Sequence, residues 1–384
     1  MKKILLIVPS LTMGGMERVL VNYANLFCDR GYDVTVINLT SDDPAIVHSL
    51  SEKVHYKRCY IPVPHIAHAK WKDILKLNFR ILPFRKWIQF HSAKYLQKKY
   101  IREKYDIQVG FCGSPSIKIV SGCKDETVQT IGWIHGVNIH NDVPSMGSFK
   151  KAKKVYENVD KFICVSQKAK ENIEEVFHIQ KAYVVHNPND RKRILEASLQ
   201  AGTPEKTKFT LVTVARIDEL SKRFSRMLNV VKRLNQDGFD FDYWIVGDGI
   251  DYEKVVNQAK EDGLTNVTFV GKQENPYKYM RAADMYVVTS AYEAFSMVMM
   301  EAIILAKPML STEISGAREM LGDGEYGMIV ENSEEGLYQG LKRILADRAV
   351  FEHYVQKAEE RKNYLSEDEI MDQIEGILSE SIEE

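Results

Sequence analysis

No stretch of this 384-residue chain reaches the roughly 18 consecutive apolar residues that a membrane-spanning helix needs. The richest apolar segment, 294–310, is interrupted by Glu301 and Lys307. The run 4–8, which follows two lysines, is too short for the apolar part of a signal peptide and ends at Pro9 without a small-residue cleavage site. Neither an export signal nor a membrane span is expected, and the chain reads as cytoplasmic. The five cysteines (Cys28, Cys59, Cys112, Cys123, Cys164) are odd in number and scattered, without paired metal-ligand spacing, which fits a reducing compartment better than a disulfide framework. An excess of one charge is also missing: 52 Lys and Arg face 53 Asp and Glu. The first apolar run is followed by SLTMGGMER rather than Gly-x-Gly-x-x-Gly, which argues against a nicotinamide-dependent dehydrogenase.

What is present is material for packed cores, 45% hydrophobic and 10% aromatic, in a chain long enough for two domains. The first forty or so residues alternate an apolar run, the loop SLTMGG, a helical stretch with Met16, Val19, Leu20, Tyr23, Ala24 and Phe27 at helical spacing, and a second apolar run. This is a βαβ unit, so the Gly14-Gly15 loop is expected at the carboxyl edge of a parallel sheet, where such folds bind ligands. The alternation restarts at Phe209 with FTLVTVAR, YWIVGDG, VTFVG and MYVVTS separated by helical segments. Between the two series, 190–206 is polar, with Gly202 and Pro204 and no strand pattern. The expected organisation is an α/β chain with Rossmann-like doubly wound domains at 1–190 and 208–365, a linker at 191–207, and a helical tail at 366–384 that packs back toward the first domain.

The neutral average hides an uneven distribution. Residues 53–104 hold 14 Lys and Arg against only Asp73 and Glu103, whereas 351–384 hold 11 acids against 3 bases. Within the basic segment, Trp71, Ile74, Leu75, Phe79, Leu82, Trp87 and Phe90 are interleaved with Lys and Arg. The composition suits an amphipathic surface touching anionic lipid headgroups, and equally a solvated basic face over a core. No recognition motif accompanies the charge, so nucleic acid is not expected as a partner.

The most informative segment is 291-AYEAFSMVMMEA-302. A helix beginning near Phe295 would offer its free amides and positive dipole end to an anion such as a diphosphate. Glu293 would stand in the loop above, and Glu301, two turns in, could accept from adjacent ribose hydroxyls. A cap and a solvated face explain the same spacing. In 214-VARIDELSKRF-224, Arg216 follows a strand and Lys222 lies near the next helix, a pair able to neutralise phosphates; a basic surface loop would look alike. His135, in Trp-Ile-His-Gly after a strand, could bind a ligand or satisfy backbone groups. The Asp-x-Asp of Asp240 and Asp242 precedes a buried-type strand, away from the carboxyl edge, and no metal is expected there.

Order and spacing together, rather than any one motif, carry a resemblance over nearly the whole chain. The sequence Gly14-Gly15 before MERVLVNYANLF, 133-WIHG-136, 164-CVSQ-167, 186-HNPND-190, Arg216 with Lys222, Gly247–Gly249, Gly271, Glu293 with Glu301, 315-SGAREM-320 and 326-YGMIV-330 resembles retaining GT-B glycosyltransferases of glycosyltransferase family 4. The resemblance implies two Rossmann-like domains facing across a cleft, the first binding acceptor and the second binding a nucleotide sugar. It implies that Arg216 and Lys222 hold the donor diphosphate and stabilise the departing nucleoside diphosphate, that Glu293 contacts the donor sugar, and that amides of Phe295, Ser296, Met297 and Val298 hold sugar and phosphate. Glu301 would bind ribose, His135 would lie beside the donor sugar, Gly14 and Gly15 would belong to a loop closing on the phosphates, and Gly271 with Lys272 would border the base.

The implied activity is transfer of a hexose or N-acetylhexosamine from a nucleotide sugar, a UDP-sugar, to a lipid-linked or polymeric cell-envelope acceptor, without cofactor or metal, at the inner face of the membrane through 53–104. The alternative is a non-catalytic nucleotide-sugar-binding or scaffold subunit. The chain departs from the family where glycines are frequent, with Ala294, Ser296, Ser315 and Arg223 in their place; Arg223 bears on the conformation of its loop.

Overall fold

The computed structural model describes residues 1–12, 14–59, 88–136, 146–293 and 295–380. The interleaved aromatic and basic stretch from Trp71 to Trp87 therefore lies outside the described residues, as does Ala294. The chain divides into two compact units, one formed by 1–188 with 367–384 and the other by 189–366.

The first unit is built on a seven-stranded sheet. Its strands are β1 (Lys3–Val8), β2 (Asp33–Asn38), β3 (His55–Arg58), β4 (Ile107–Phe111), β5 (Gln129–Ile134), β6 (Lys161–Cys164) and β7 (Ala182–Val184), in the order β3-β2-β1-β4-β5-β6-β7. Every pairing is parallel, with Leu5 opposite Thr35 and Phe111 opposite Trp133. Helices cover both faces, which is why β1 and β2 are buried continuously after their first residue rather than on alternate residues. Helix Gly15–Asp29 buries Val19, Leu20, Tyr23, Ala24 and Phe27 against the sheet. Tyr23 meets Trp133 at 4.4 Å between ring centroids and donates its hydroxyl to the His186 carbonyl at 2.9 Å.

The tail helix Glu367–Ser379 belongs to this unit and buries Ile370, Met371, Ile374, Ile377 and Leu378. Its acidic face meets Arg30, which bonds Asp368, Asp372 and Glu375 at 2.9, 2.6 and 3.1 Å. The buried Lys161 ammonium closes its end by donating to the carbonyls of Ile377 and Glu380 at 2.5 and 2.8 Å. Part of the acidic tail's charge is thus matched by direct contact with Arg30 and Lys161, which lie outside the basic segment 53–104.

The second unit carries a six-stranded parallel sheet: β8 (Phe209–Val214), β9 (Phe241–Val246), β10 (Val267–Gly271), β11 (Met285–Val288), β12 (Met309–Thr312) and β13 (Met328–Val330), in the order β10-β9-β8-β11-β12-β13. Strand order reverses between β8 and β11, and such a reversal opens a crevice at the carboxyl ends of the strands beside it. The segment read as linker, 191–207, is not irregular throughout. It contains helix Arg191–Ser198, which Asp190 caps through the Arg193 amide at 2.9 Å and which buries Ile194. A single turn's worth of apolar surface leaves little periodicity to read.

Candidate functional site

The loop after β8 is pinned before it reaches the site. The Ile217 amide donates to the Asp248 carbonyl at 3.0 Å, and a Cβ placed on Gly247 or Gly249 would stand 1.9 Å from the Ala215 oxygen or 2.1 Å from the Ile217 oxygen. Only glycine lets the two loops approach this closely. The chain then passes Arg216, whose side chain is 74% exposed with its guanidinium 3.6 Å from Asp218, and arrives at Lys222 and helix Phe224–Gln236.

Lys222 and Glu293 meet here, Nζ to Oε1 at 2.7 Å, with side chains 18% and 15% exposed. Ser290 donates to the same carboxylate oxygen at 2.5 Å. Backbone straps fix the two loops together. Thr289 donates its hydroxyl to the Lys222 carbonyl at 2.5 Å, the Ala291 amide donates to the Ser221 carbonyl at 2.7 Å, and Arg226 donates to the Thr289 carbonyl at 2.6 Å. A pair so enclosed needs its remaining hydrogen bonds satisfied to be tolerated, and Ser290 supplies one. The sequence motifs pointed to Lys222 and Glu293 but not to Ser290, Thr289 or Arg226, whose types are too common to stand out.

The following helix runs Met297–Ile304, two residues later than expected, so Phe295 and Ser296 form its approach and the amides of Met297 and Val298 open it. Ser296 is buried at the N-cap position, yet its hydroxyl makes no capping bond, so the first amides have no side-chain acceptor among the described residues. Uncapped amides at the positive end of a helix are a place for an anion. Glu301 lies on the half-buried face and accepts from the Tyr277 hydroxyl at 3.1 Å, which in turn accepts from Arg193 Nη2 at 3.3 Å. Tyr277 and Arg193 escaped the sequence reading because they come from separate helices. Gly271 ends β10 at φ +75°, and its carbonyl accepts from the Gly247 amide at 2.9 Å; Lys272 beside it is exposed. Asp240 and Asp242 lie at the amino end of β9, Asp240 paired with Lys208 at 2.6 Å.

Arg223 occupies a left-handed conformation, φ +54°, at the N-cap of helix Phe224–Gln236. This is the position where the family resemblance leads one to expect glycine. The local fold keeps the glycine-type geometry without the glycine, at a cost in backbone strain.

In the first unit, Gly14-Gly15 follows β1 and His135 follows β5, both at the carboxyl edge of the sheet. Gly14 is the extended N-cap residue, and a Cβ there would lie 2.3 Å from a Glu17 carboxylate oxygen; a Cβ on Gly15 would meet nothing within 4 Å. Burial pushes the Glu17 carboxyl above the usual range, partly offset by hydrogen bonds from its own amide and Thr12. The His135 ring packs on Phe111 at 4.5 Å between centroids and parallels Trp133 at 6.4 Å. Its Nε2 is buried without a hydrogen-bond partner among the described residues, and burial lowers the imidazole from 6.5 to about 3. The ring is neutral at physiological pH, with one nitrogen available to a ligand.

Comparison with known proteins places these features. Residues 13–193 match the family model described as Glycosyltransferase Family 4, and residues 196–362 match Glycosyl transferases group 1. The chain is 26% identical over 379 residues, 94% of this chain and 95% of the relative, to N-acetylgalactosamine-N,N'-diacetylbacillosaminyl-diphospho-undecaprenol 4-alpha-N-acetylgalactosaminyltransferase of Campylobacter jejuni. It is 22% identical over 340 residues, 88% of this chain and 87% of the relative, to a lipopolysaccharide core biosynthesis glycosyltransferase of Rhizobium meliloti. Among solved structures, S. aureus TarM, in complex with fondaparinux, α-GlcNAc-glycerol and UDP, superposes with a TM-score of 0.72 at 14% identity over 99% of this chain and 100% of its own. Sucrose-phosphate synthase of Thermosynechococcus elongatus gives 0.74 at 18% identity over 98% of both chains. With two complementary family models spanning most of its length and the two parallel sheets of that fold, the chain belongs to the group 1 glycosyltransferases of GT-B architecture.

Proposed function

We propose that the chain is a retaining glycosyltransferase that moves a hexose or N-acetylhexosamine from a UDP-sugar to a lipid-linked or polymeric saccharide acceptor of cell-envelope polysaccharide synthesis, at the cytoplasmic face of the membrane and without a metal ion. The observation that carries this reading is the enclosed Lys222–Glu293 pair at the loops following β8 and β11, beside the uncapped amides of Met297 and Val298. A diphosphate set against that helix end meets a fixed cation and a positive dipole, so charge developing on the leaving nucleoside diphosphate is stabilised by groups already in place. Arg216, exposed at the rim, adds a second cation. Glu293 holds the Lys222 ammonium and stands near the donor sugar, and Glu301 receives the ribose hydroxyls.

In this reading the acceptor hydroxyl enters on the face the diphosphate leaves, and a diphosphate oxygen takes its proton. No protein base is then required. His135, held neutral, hydrogen-bonds to the sugar rather than transferring a proton. Names of relatives support the substrate classes: that of the C. jejuni protein specifies an α-linked N-acetylgalactosamine and a diphospho-undecaprenol acceptor, and the structures of TarM and of Anabaena HepE contain UDP.

The test is a donor screen that follows nucleoside diphosphate release with lipid-diphosphate saccharide acceptors, using Lys222→Ala and Glu293→Ala as controls. Release in the wild type that collapses in both variants supports the reading, and turnover unchanged in both overturns the site. Donor binding without release for any acceptor would assign the chain to the scaffold class instead.

A further inference from the structure

We propose that a basic pocket at the edge of the first unit's sheet is an anion site for a phosphate or diphosphate group. The site is separate from the donor site and does not rest on its assignment. It is a cavity of about 430 Å³ between edge strand β3 and the segment from helix Ala93–Tyr100 to β4, with Ile37 of β2 among its walls. A volume of this size suits a small ligand.

Four cations line it, Lys57, Arg58, Lys99 and Arg102, with the carboxylate of Glu103. Two of the cations are held in position. Arg58 bonds Asp42 at 2.6 Å, and that carboxylate, 2% exposed, is fixed further by the Tyr56 hydroxyl at 2.6 Å. Lys57 bonds Glu103 at 2.6 Å, and the Tyr105 hydroxyl donates to the second Glu103 oxygen at 3.2 Å. Arg102 has no carboxylate partner among the described residues and stands exposed at the rim. The fields of Arg102 and Lys57 converge on the Cys59 thiol, each working against the desolvation that raises it.

A surface face disperses such charges into water. Here four cations crowd a concavity against two carboxylates, Glu103 and Asp42, and the excess positive charge favours a bound anion. Planar guanidinium groups suit a phosphoryl group's paired oxygens, and Tyr100 and Tyr105 supply walls for whatever the phosphate carries. The source of the phosphoryl group, a soluble ester or a lipid headgroup, is separated by the test.

Titration calorimetry of the full chain with inorganic pyrophosphate should show binding that survives Lys222→Ala, which disables the donor site. The double variant Lys99→Gln with Arg102→Gln, both exposed, should weaken it at least about tenfold. Glu103→Gln should strengthen it by about threefold, a gain that misfolding cannot imitate. Binding abolished by Lys222→Ala but untouched by the double variant overturns the proposal, as does weaker binding in Glu103→Gln. A second arm uses phosphatidylglycerol–phosphatidylcholine vesicles. Vesicle binding displaced by pyrophosphate assigns the pocket to headgroups, and pyrophosphate binding without vesicle binding assigns it to soluble phosphates. Vesicle binding that requires Arg102 yet ignores pyrophosphate overturns the pocket in favour of diffuse surface charge.

Discussion

The two units place charge at the carboxyl edges of similar parallel sheets in opposite ways. In the second, the key cation is already matched: Lys222 and Glu293 are enclosed, bonded at 2.7 Å and strapped by Ser290, Thr289 and Arg226. In the first, the residue that the family resemblance brings forward is a histidine kept neutral, and the cations gather instead at the sheet's outer edge around one exposed carboxylate. The scaffold is common to both, so the difference lies in loops. A matched pair offers fixed geometry for charge that appears only during reaction, while an excess of one sign offers binding to charge a ligand brings with it.

The largest effect expected from breaking this contrast is at the matched pair. On the proposed mechanism Lys222→Ala should lower kcat by about 10²–10³, with little change in donor KM, because the charge that Lys222 would stabilise develops on the leaving diphosphate. Glu293→Ala should cost a similar factor, and the double variant little more than either, since the two act as one unit. Steady-state kinetics of the three variants decide it. Fully additive losses would mean that the side chains work independently.

Next in size is the neutral histidine. Its imidazole is lowered from 6.5 to about 3 by burial, so the unfolded chain binds a proton that the native chain refuses between those values. Stability therefore falls as pH drops from about 6.5 toward 3, by up to about 1.4 kcal/mol per unit from this group, and is fully present above 6.5. Urea denaturation of wild type and His135→Gln across that window should show the variant losing less. Parallel curves would place a charged histidine in the native site. The same burial predicts that no titration of His135 shapes the kcat/KM profile between pH 5 and 8.

Removing the Tyr277 hydroxyl is expected to do less. Tyr277→Phe keeps the ring but withdraws one hydrogen bond from Glu301 and separates it from Arg193. One such bond to a charged group corresponds to about 1–2 kcal/mol, here divided with solvent. Donor KM should rise roughly five-fold with kcat nearly kept, and a uridine diphosphate competition assay should show the same loss. A fall in kcat at constant KM would mean that Glu301 acts on the reacting centre rather than on the ribose.

The strands were legible because parallel strands buried on both faces leave apolar-rich runs, as FTLVTV and MYVV do; their order, and with it the reversal between β8 and β11, was not. Lys222 and Glu293 were legible through the spacing of their motifs. Arg193 was not, because its helix sits in a stretch with one large buried apolar side chain, Ile194, and an otherwise linker-like composition. The start of helix Met297–Ile304 was misplaced by two residues because nothing local distinguishes Phe295 and Ser296 from a first turn. The pocket at β3 depends on residues 37, 57–59 and 99–105 being brought together by strand order, which charge counting along the chain cannot supply.

The smallest effect tests how rigidly the second unit's loop is held. Arg223 sits at φ +54° where a side chain is strained by about 1–2 kcal/mol. Glycine would remove that strain but enlarge the freedom of the unfolded chain by about 0.5–1 kcal/mol. Charge tips the balance further, because Arg223 repels the half-buried Arg226 that anchors Thr289. Arg223 makes no hydrogen bond or ion pair through its side chain among the described residues, so nothing is lost with it. Arg223→Gly should therefore stabilise the chain by about 0.5–1 kcal/mol, and Arg223→Ala by less, since alanine relieves the repulsion and keeps the strain. Thermal denaturation of the two variants separates the contributions. Equal stabilisation would assign the whole gain to charge and leave the left-handed residue without measurable strain, whereas destabilisation by glycine would show that the loop is held from within by the arginine.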